Sequence, residues 1–102
     1  MKVILSTTQN LEEAKTIADF IVKNHLAACV NIIPTVLSVY EWENEIKNDN
    51  EALMIIKTSK EKIESVIKKI KELHSYSIPE IICLDVTDGN QDYINWVLKQ
   101  SK

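Results

Sequence analysis

No arginine occurs in these 102 residues; all twelve basic side chains are lysines. That excludes bidentate guanidinium recognition of phosphate or carboxylate. Basic charge is also outnumbered, with fifteen Asp and Glu giving a net charge of −3 and a pI of about 5.3. A chain without a basic face is a poor nonspecific nucleic-acid binder. No apolar run is long enough to span a bilayer, and the first residues lack the basic flank and apolar stretch of an export signal. Glycine occurs once and proline twice, so breaks are few and the elements should be long. The two cysteines, Cys29 and Cys83, both lie in apolar strand-like runs. They read as reduced, buried thiols of a cytoplasmic protein rather than as a disulfide framework.

What is present suits one soluble globular domain over residues 1–102: 45% hydrophobic and 26% charged residues. Lys2 to Ser6 reads as a short strand. Asn10 with Glu13 three positions later forms a capping-box signature. Leu11, Ala14, Ile17, Ala18, Ile21, Val22 and His25 then share one helical face. Ala27 to Trp42 is rich in β-branched and aromatic residues and reads as a strand, with Pro34 marking a bulge or an edge. Glu43-Asn44 fits a tight turn, because Asn tolerates positive φ. Glu45 to Lys57 is the return strand. Thr58 with Glu61 is expected to cap a second helix, whose apolar face is Ile63, Val66, Ile67, Ile70 and Leu73. Glu80 to Thr87 reads as the last strand, and Asp88-Gly89-Asn90 leads into a closing helix bearing Tyr93, Trp96 and Val97.

The order βαββαβ plus a terminal helix describes an α+β, ferredoxin-like fold: an antiparallel sheet with helices on one face. Its long hairpin is apolar on both sides. Val36, Tyr40 and Trp42 point one way, Leu37 and Val39 the other; Ala52, Met54 and Ile56 oppose Leu53 and Ile55. Two helices cover one face only, so the other face calls for a partner. About 13 residues at roughly 3.3 Å each make a strand of about 43 Å, against a radius of gyration near 13 Å for a domain of this size. The hairpin should therefore overhang its own core.

Chemically useful side chains concentrate in His74-Ser75-Tyr76-Ser77-Ile78-Pro79-Glu80, between the second helix and the last strand. Lys57 closes the strand before that helix. Because one strand ends at Lys57 and the last begins at Glu80, Lys57, His74, Tyr76 and Glu80 are expected to cluster, with Cys29 nearby, in a pocket beside a subunit boundary. His74 is either the cation at a helix C-terminus or a ligand-binding group. Cys29 is a core thiol or a metal or redox group, and Lys57 is an ion-pair partner of Glu80 or an anchor for a small anionic ligand. Trp42 and Trp96 read as packing residues. The acidic run Glu41, Glu43, Glu45, Asp49 and Glu51 reads as a solvated edge that resists aggregation or as a weak site for divalent ions.

Five blocks together resemble the CutA-type divalent-cation tolerance family. They are Leu26-Ala27-Ala28-Cys29-Val30-Asn31-Ile32-Ile33-Pro34, Ser38-Val39-Tyr40-Glu41-Trp42, Ile56-Lys57-Thr58, Leu73 to Ile81, and Gly89-Asn90-Gln91-Asp92-Tyr93-Ile94-Asn95-Trp96. The resemblance implies a ferredoxin-like fold, a homotrimer joined through the long hairpins, and a link to tolerance of copper and other divalent cations. It implies no agreed reaction. The first expectation is thus a trimeric binding or regulatory protein without catalytic residues. The alternative is a small enzyme or sensor acting on an anionic metabolite at a subunit cleft, with His74 as acid or base, Lys57 as anchor and Glu80 as orienter. The copper site that the resemblance implies uses a Cys at the end of the first strand and a His-His pair ending the second helix. Here those positions hold Ser6, Leu73 and His74, so only His74 remains as a metal ligand, and weak copper binding is expected there. The family's glycine after the hairpin Trp is replaced by Asn44.

Overall fold

The computed structural model describes residues 1–102. Seven elements follow in order: β1 (Lys2–Thr8), α1 (Leu11–Lys23), β2 (Cys29–Trp42), β3 (Glu45–Thr58), α2 (Ile63–Leu73), β4 (Ile81–Asp85) and α3 (Gln91–Gln100), with a 3₁₀ turn at Lys60–Lys62. The strands form one sheet in the order β2-β3-β1-β4. Every neighbouring pair is antiparallel. This is the expected ferredoxin-like topology.

The core lies between the sheet and the two longer helices. Ile4, Ala52, Met54 and Ile56 from the sheet meet Ala14, Ile17 and Ile21 of α1 and Val66 and Ile70 of α2. All are at most 1% exposed, and each large aliphatic side chain buried this way contributes on the order of 1.5–3 kcal/mol. One polar group is trapped with them: the hydroxyl of Ser6 is buried without a hydrogen-bond partner.

The ends of α1 follow local chemistry. Asn10 Oδ1 accepts from the backbone N–H of Glu13 at 2.8 Å, as the capping signature predicts. The Glu13 carboxylate turns elsewhere, to the N–H of Gln9 at 3.3 Å. His25 does not continue the helical face. It adopts φ 58°, its N–H bonds to the Val22 carbonyl, and the next N–H, from Leu26, reaches back to Ile21. This is a Schellman ending with a non-glycine residue in the left-handed position. The expected Thr58–Glu61 cap of α2 is also replaced. Thr58 ends β3, and its hydroxyl donates to the Leu26 carbonyl at 2.6 Å. That bond holds the side chain toward Leu26 while Thr58 is still in the strand, and a 3₁₀ turn after Ser59 leads into α2 without a side-chain cap.

The hairpin matches its sequence closely. Glu43 and Asn44 both have positive φ, 50° and 66°, the signature of a type I′ turn. The register jumps between Ile33 and Val36, opposite Leu53 and Glu51, so β2 carries one extra residue at Pro34. β1 pairs only with residues Ala52 to Thr58 of β3. Beyond Ala52 the two strands pair with each other alone. The molecule is accordingly 45 Å long but only 26 by 22 Å across. The overhang exposes Leu37 (64%), Val39 (62%) and Ile46 (65%) on one side and Trp42 (52%) on the other. The sheet face away from α1 and α2 exposes Ile33, Ile82 and Leu84.

Candidate functional site

The segment after α2 is fixed by its own side chains. His74 is the C-cap residue of α2, and its backbone leaves the helix in an extended conformation. The ring lies between two backbone groups: Nε2 is 2.7 Å from the Thr7 carbonyl, and Nδ1 accepts the N–H of Tyr76 at 3.0 Å. A carbonyl can only accept and an amide N–H can only donate, so the ring uses its neutral Nε2–H tautomer. Both nitrogens are committed. The imidazole acts here as a strut that ties the segment to β1. Glu13 adds a second tie, accepting the N–H of Ser75 at 2.9 Å.

Tyr76 stacks obliquely on His74, with ring centroids 4.7 Å apart. Its hydroxyl donates to Glu51 Oε2 on β3 at 2.8 Å. Burial raises the phenol well above the ordinary tyrosine range, and the adjacent Glu51 carboxylate raises it further. Tyr76 is therefore a neutral donor that orients Glu51. Tyr40 makes the matching bond on the hairpin, donating to Asp49.

These contacts shape a cleft of about 720 Å³ between the segment 76–80 and the overhanging hairpin, from Glu51 to Trp42 beside its turn. Its walls are Tyr40, Trp42 and Tyr76, its hydroxyls Thr7, Ser38 and Ser77, and its carboxylates Glu51 and Glu80. Of the expected residues, Tyr76 and Glu80 line this cleft and His74 supports it. Lys57 and Cys29 lie elsewhere. Lys57 pairs with Val3 of β1 and with Cys29 of β2, whereas β4 starts opposite Ser6. The expected cluster is therefore not formed within one chain. β3 and β4 both run antiparallel to β1, hence parallel to each other, so the end of one and the start of the other lie at opposite ends of the sheet. Three β1 positions separate them, roughly 10 Å at the usual strand rise. The arrangement of His74, Lys57 and Glu80 as acid or base, anchor and orienter is not assembled in this chain. Cys29 is instead beside Tyr93, whose phenol is raised first by burial and then by that thiol.

Sequence reasoning placed Glu51 only in the acidic run of the hairpin, not with Tyr76 and Glu80, and gave Trp42 only a packing role. A signal existed: Glu51 breaks the apolar parity of Leu53 and Ile55 on the face opposite the helices.

The residues offered for copper do not fit that ion as placed. Ser6 is buried among apolar side chains, Leu73 has no donor atom, and both nitrogens of His74 are engaged. No three His, Cys, Asp or Glu side chains converge as a metal site within the chain.

Comparison with known proteins agrees with this architecture. Residues 2–100 match the model of the CutA1 divalent ion tolerance protein family. The divalent-cation tolerance protein CutA of Thermus thermophilus is 40% identical over 96 residues, which are 94% of this chain and 93% of that one. A solved structure of the Cut A1 protein from the same organism superposes with a TM-score of 0.96 at 38% identity, covering all of both chains. The PII-like protein CutA from Nostoc gives a TM-score of 0.92 at 32% identity, covering 100% of this chain and 98% of that one. With motif order, sheet topology and whole-chain similarity in agreement, this chain belongs to the CutA1 divalent ion tolerance family.

Proposed function

We propose that this chain works as a homotrimeric binding and regulatory protein in the response to divalent cations, copper among them, and that it holds a small ligand in the cleft beside the segment 74–80. One observation carries the reading: a sheet face and a hairpin that expose Ile33, Leu37, Val39, Ile46, Ile82 and Leu84. Exposed apolar surface of that extent, on both the hairpin and the bare sheet face, marks an interaction site on a small protein. A second copy presents the same surface, and closed ring symmetry lets every overhanging hairpin reach a neighbour. The number three comes from the family resemblance.

The regulatory part rests on the shape of the site. The cleft has aromatic walls, hydroxyls and two carboxylates, one of them oriented by Tyr76, but no nucleophile activated by a base. Its one imidazole is spent on two backbone groups. Such a site suits binding, with occupancy read out through the hairpin that forms one of its walls and also meets the neighbouring copy. The cysteines are not buried as expected, Cys29 being half-buried and Cys83 exposed, because β4 turns Cys83 toward solvent at the sheet edge; two unpaired, accessible thiols suit the cytoplasm. Sedimentation equilibrium at micromolar concentration tests the assembly. Three times the chain mass of 11.7 kDa is expected, and a stable, folded monomer would overturn the reading.

A further inference from the structure

The chemistry of the cleft narrows what it holds, and this step rests on the reading of the cleft as the binding site. We infer that its ligand is a small organic cation, an ammonium group carried on an apolar body, and not an anion. The lining carries two carboxylates, Glu51 and Glu80, and no lysine. The nearby hairpin lysine, Lys47, is turned to Glu45 at 3.0 Å. Glu80 is exposed and takes part in none of the chain's ion pairs. An anion entering here would meet uncompensated negative charge from both sides.

An inorganic divalent ion fits less well. Hard cations take six or more oxygens at close range, yet one oxygen each of Glu51 and Asp49 already accepts from a tyrosine hydroxyl, and no three His, Cys, Asp or Glu side chains converge here. A bare ion also gains little from aromatic walls. An ammonium group gains from both features. Its charge meets Glu80 and Glu51, its N–H groups meet Ser38, Ser77 and Thr7, and its apolar stem lies against Trp42 and Tyr40. Cation–π attraction to such rings is worth roughly 0.5–2 kcal/mol. The volume, about 720 Å³, lies within the range of small-ligand sites.

The test uses the full chain with Trp96→Phe, so that fluorescence reports Trp42 alone. It is titrated with 1,5-diaminopentane, with butylammonium, with glutarate as the anionic counterpart, and with zinc. Saturable binding of the amines is expected, falling at least tenfold in Glu80→Gln and, by calorimetric titration because that variant lacks the reporter, in Trp42→Leu, and weakening as salt rises. Glu51→Gln keeps an acceptor for Tyr76 and should also weaken binding, which separates lost charge from lost fold. Binding of glutarate but not the amines would overturn the inference. So would amine binding that survives Glu80→Gln, or zinc binding that depends on the same carboxylates. Sedimentation of the same samples separates the two levels. A trimer whose Trp42 ignores every amine has its cleft closed by a neighbour or a different ligand class, and sinks this inference alone. A monomer sinks the proposed function, while Glu80-dependent amine binding in that monomer would still support the inference.

Discussion

Replacing His74 by Ala should loosen one segment and leave the rest of the fold in place. The ring makes two hydrogen bonds, Nε2–H to the Thr7 carbonyl at 2.7 Å and Nδ1 from the Tyr76 N–H at 3.0 Å. Each is worth about 0.5–1.5 kcal/mol net. The ring contact with Tyr76 at 4.7 Å adds a smaller amount. Water can reach part of this site, so the groups left behind do not suffer the full cost of burial. The sum is about 2 kcal/mol. The ties from Glu13 to Ser75 and from Tyr76 to Glu51 remain, so the segment should open locally rather than unfold the protein. Amide hydrogen exchange reads this directly. The amides of Tyr76 to Ile78 should exchange about 30-fold faster, the factor that matches 2 kcal/mol, while Leu5 and Ile55 in the sheet keep their protection. His74→Gln offers one donor and one acceptor and should recover part of the effect. Unchanged protection at Tyr76 in the Ala variant would refute the strut. Equal loss across the whole sheet would show that the ring supports the core instead.

Two further substitutions test single residues. Ser6→Ala removes a buried hydroxyl that has no partner and should stabilise the protein by about 1 kcal/mol, measured by urea unfolding; a loss of stability would mean that the hydroxyl is satisfied. His25→Gly relieves a left-handed residue with a side chain and should also stabilise, by about 1 kcal/mol; a drop in the urea midpoint would show that the ring's 3.4 Å contact with the Gln100 carbonyl outweighs the strain.

Much of the fold was legible because it depends on local patterns. Alternation in Leu53 to Ile56 and helical spacing in Ala14, Ile17, Ala18 and Ile21 assigned both core faces. Pro34 marked its bulge, and Glu43-Asn44 its turn, since each is a rule about one residue's backbone. Readings failed where a distant partner decided the outcome. Thr58 was expected to cap a helix, but the Leu26 carbonyl, 32 positions away, takes its hydroxyl. His25 continued the helical spacing, yet chain reversal placed it in the Schellman position. Lys57 and Glu80 were grouped because one strand ends and the next begins there, which ignored the parallel direction of β3 and β4. The cleft itself was hidden because Glu51 was counted within an acidic run, while its role depends on Tyr76 reaching across from another segment.

The central claim is that the bare sheet face is closed by copies of the same chain, and Ile82→Glu tests it most directly. Ile82 is 47% exposed and lies on β4 opposite Leu5, on the face away from the helices. A carboxylate there costs a single folded chain little but cannot be buried unpaired between subunits. Sedimentation equilibrium beside the unchanged protein should show wild type at three times the 11.7 kDa chain mass and Ile82→Glu without stable trimer. A variant that stays trimeric at micromolar concentration would contradict the account.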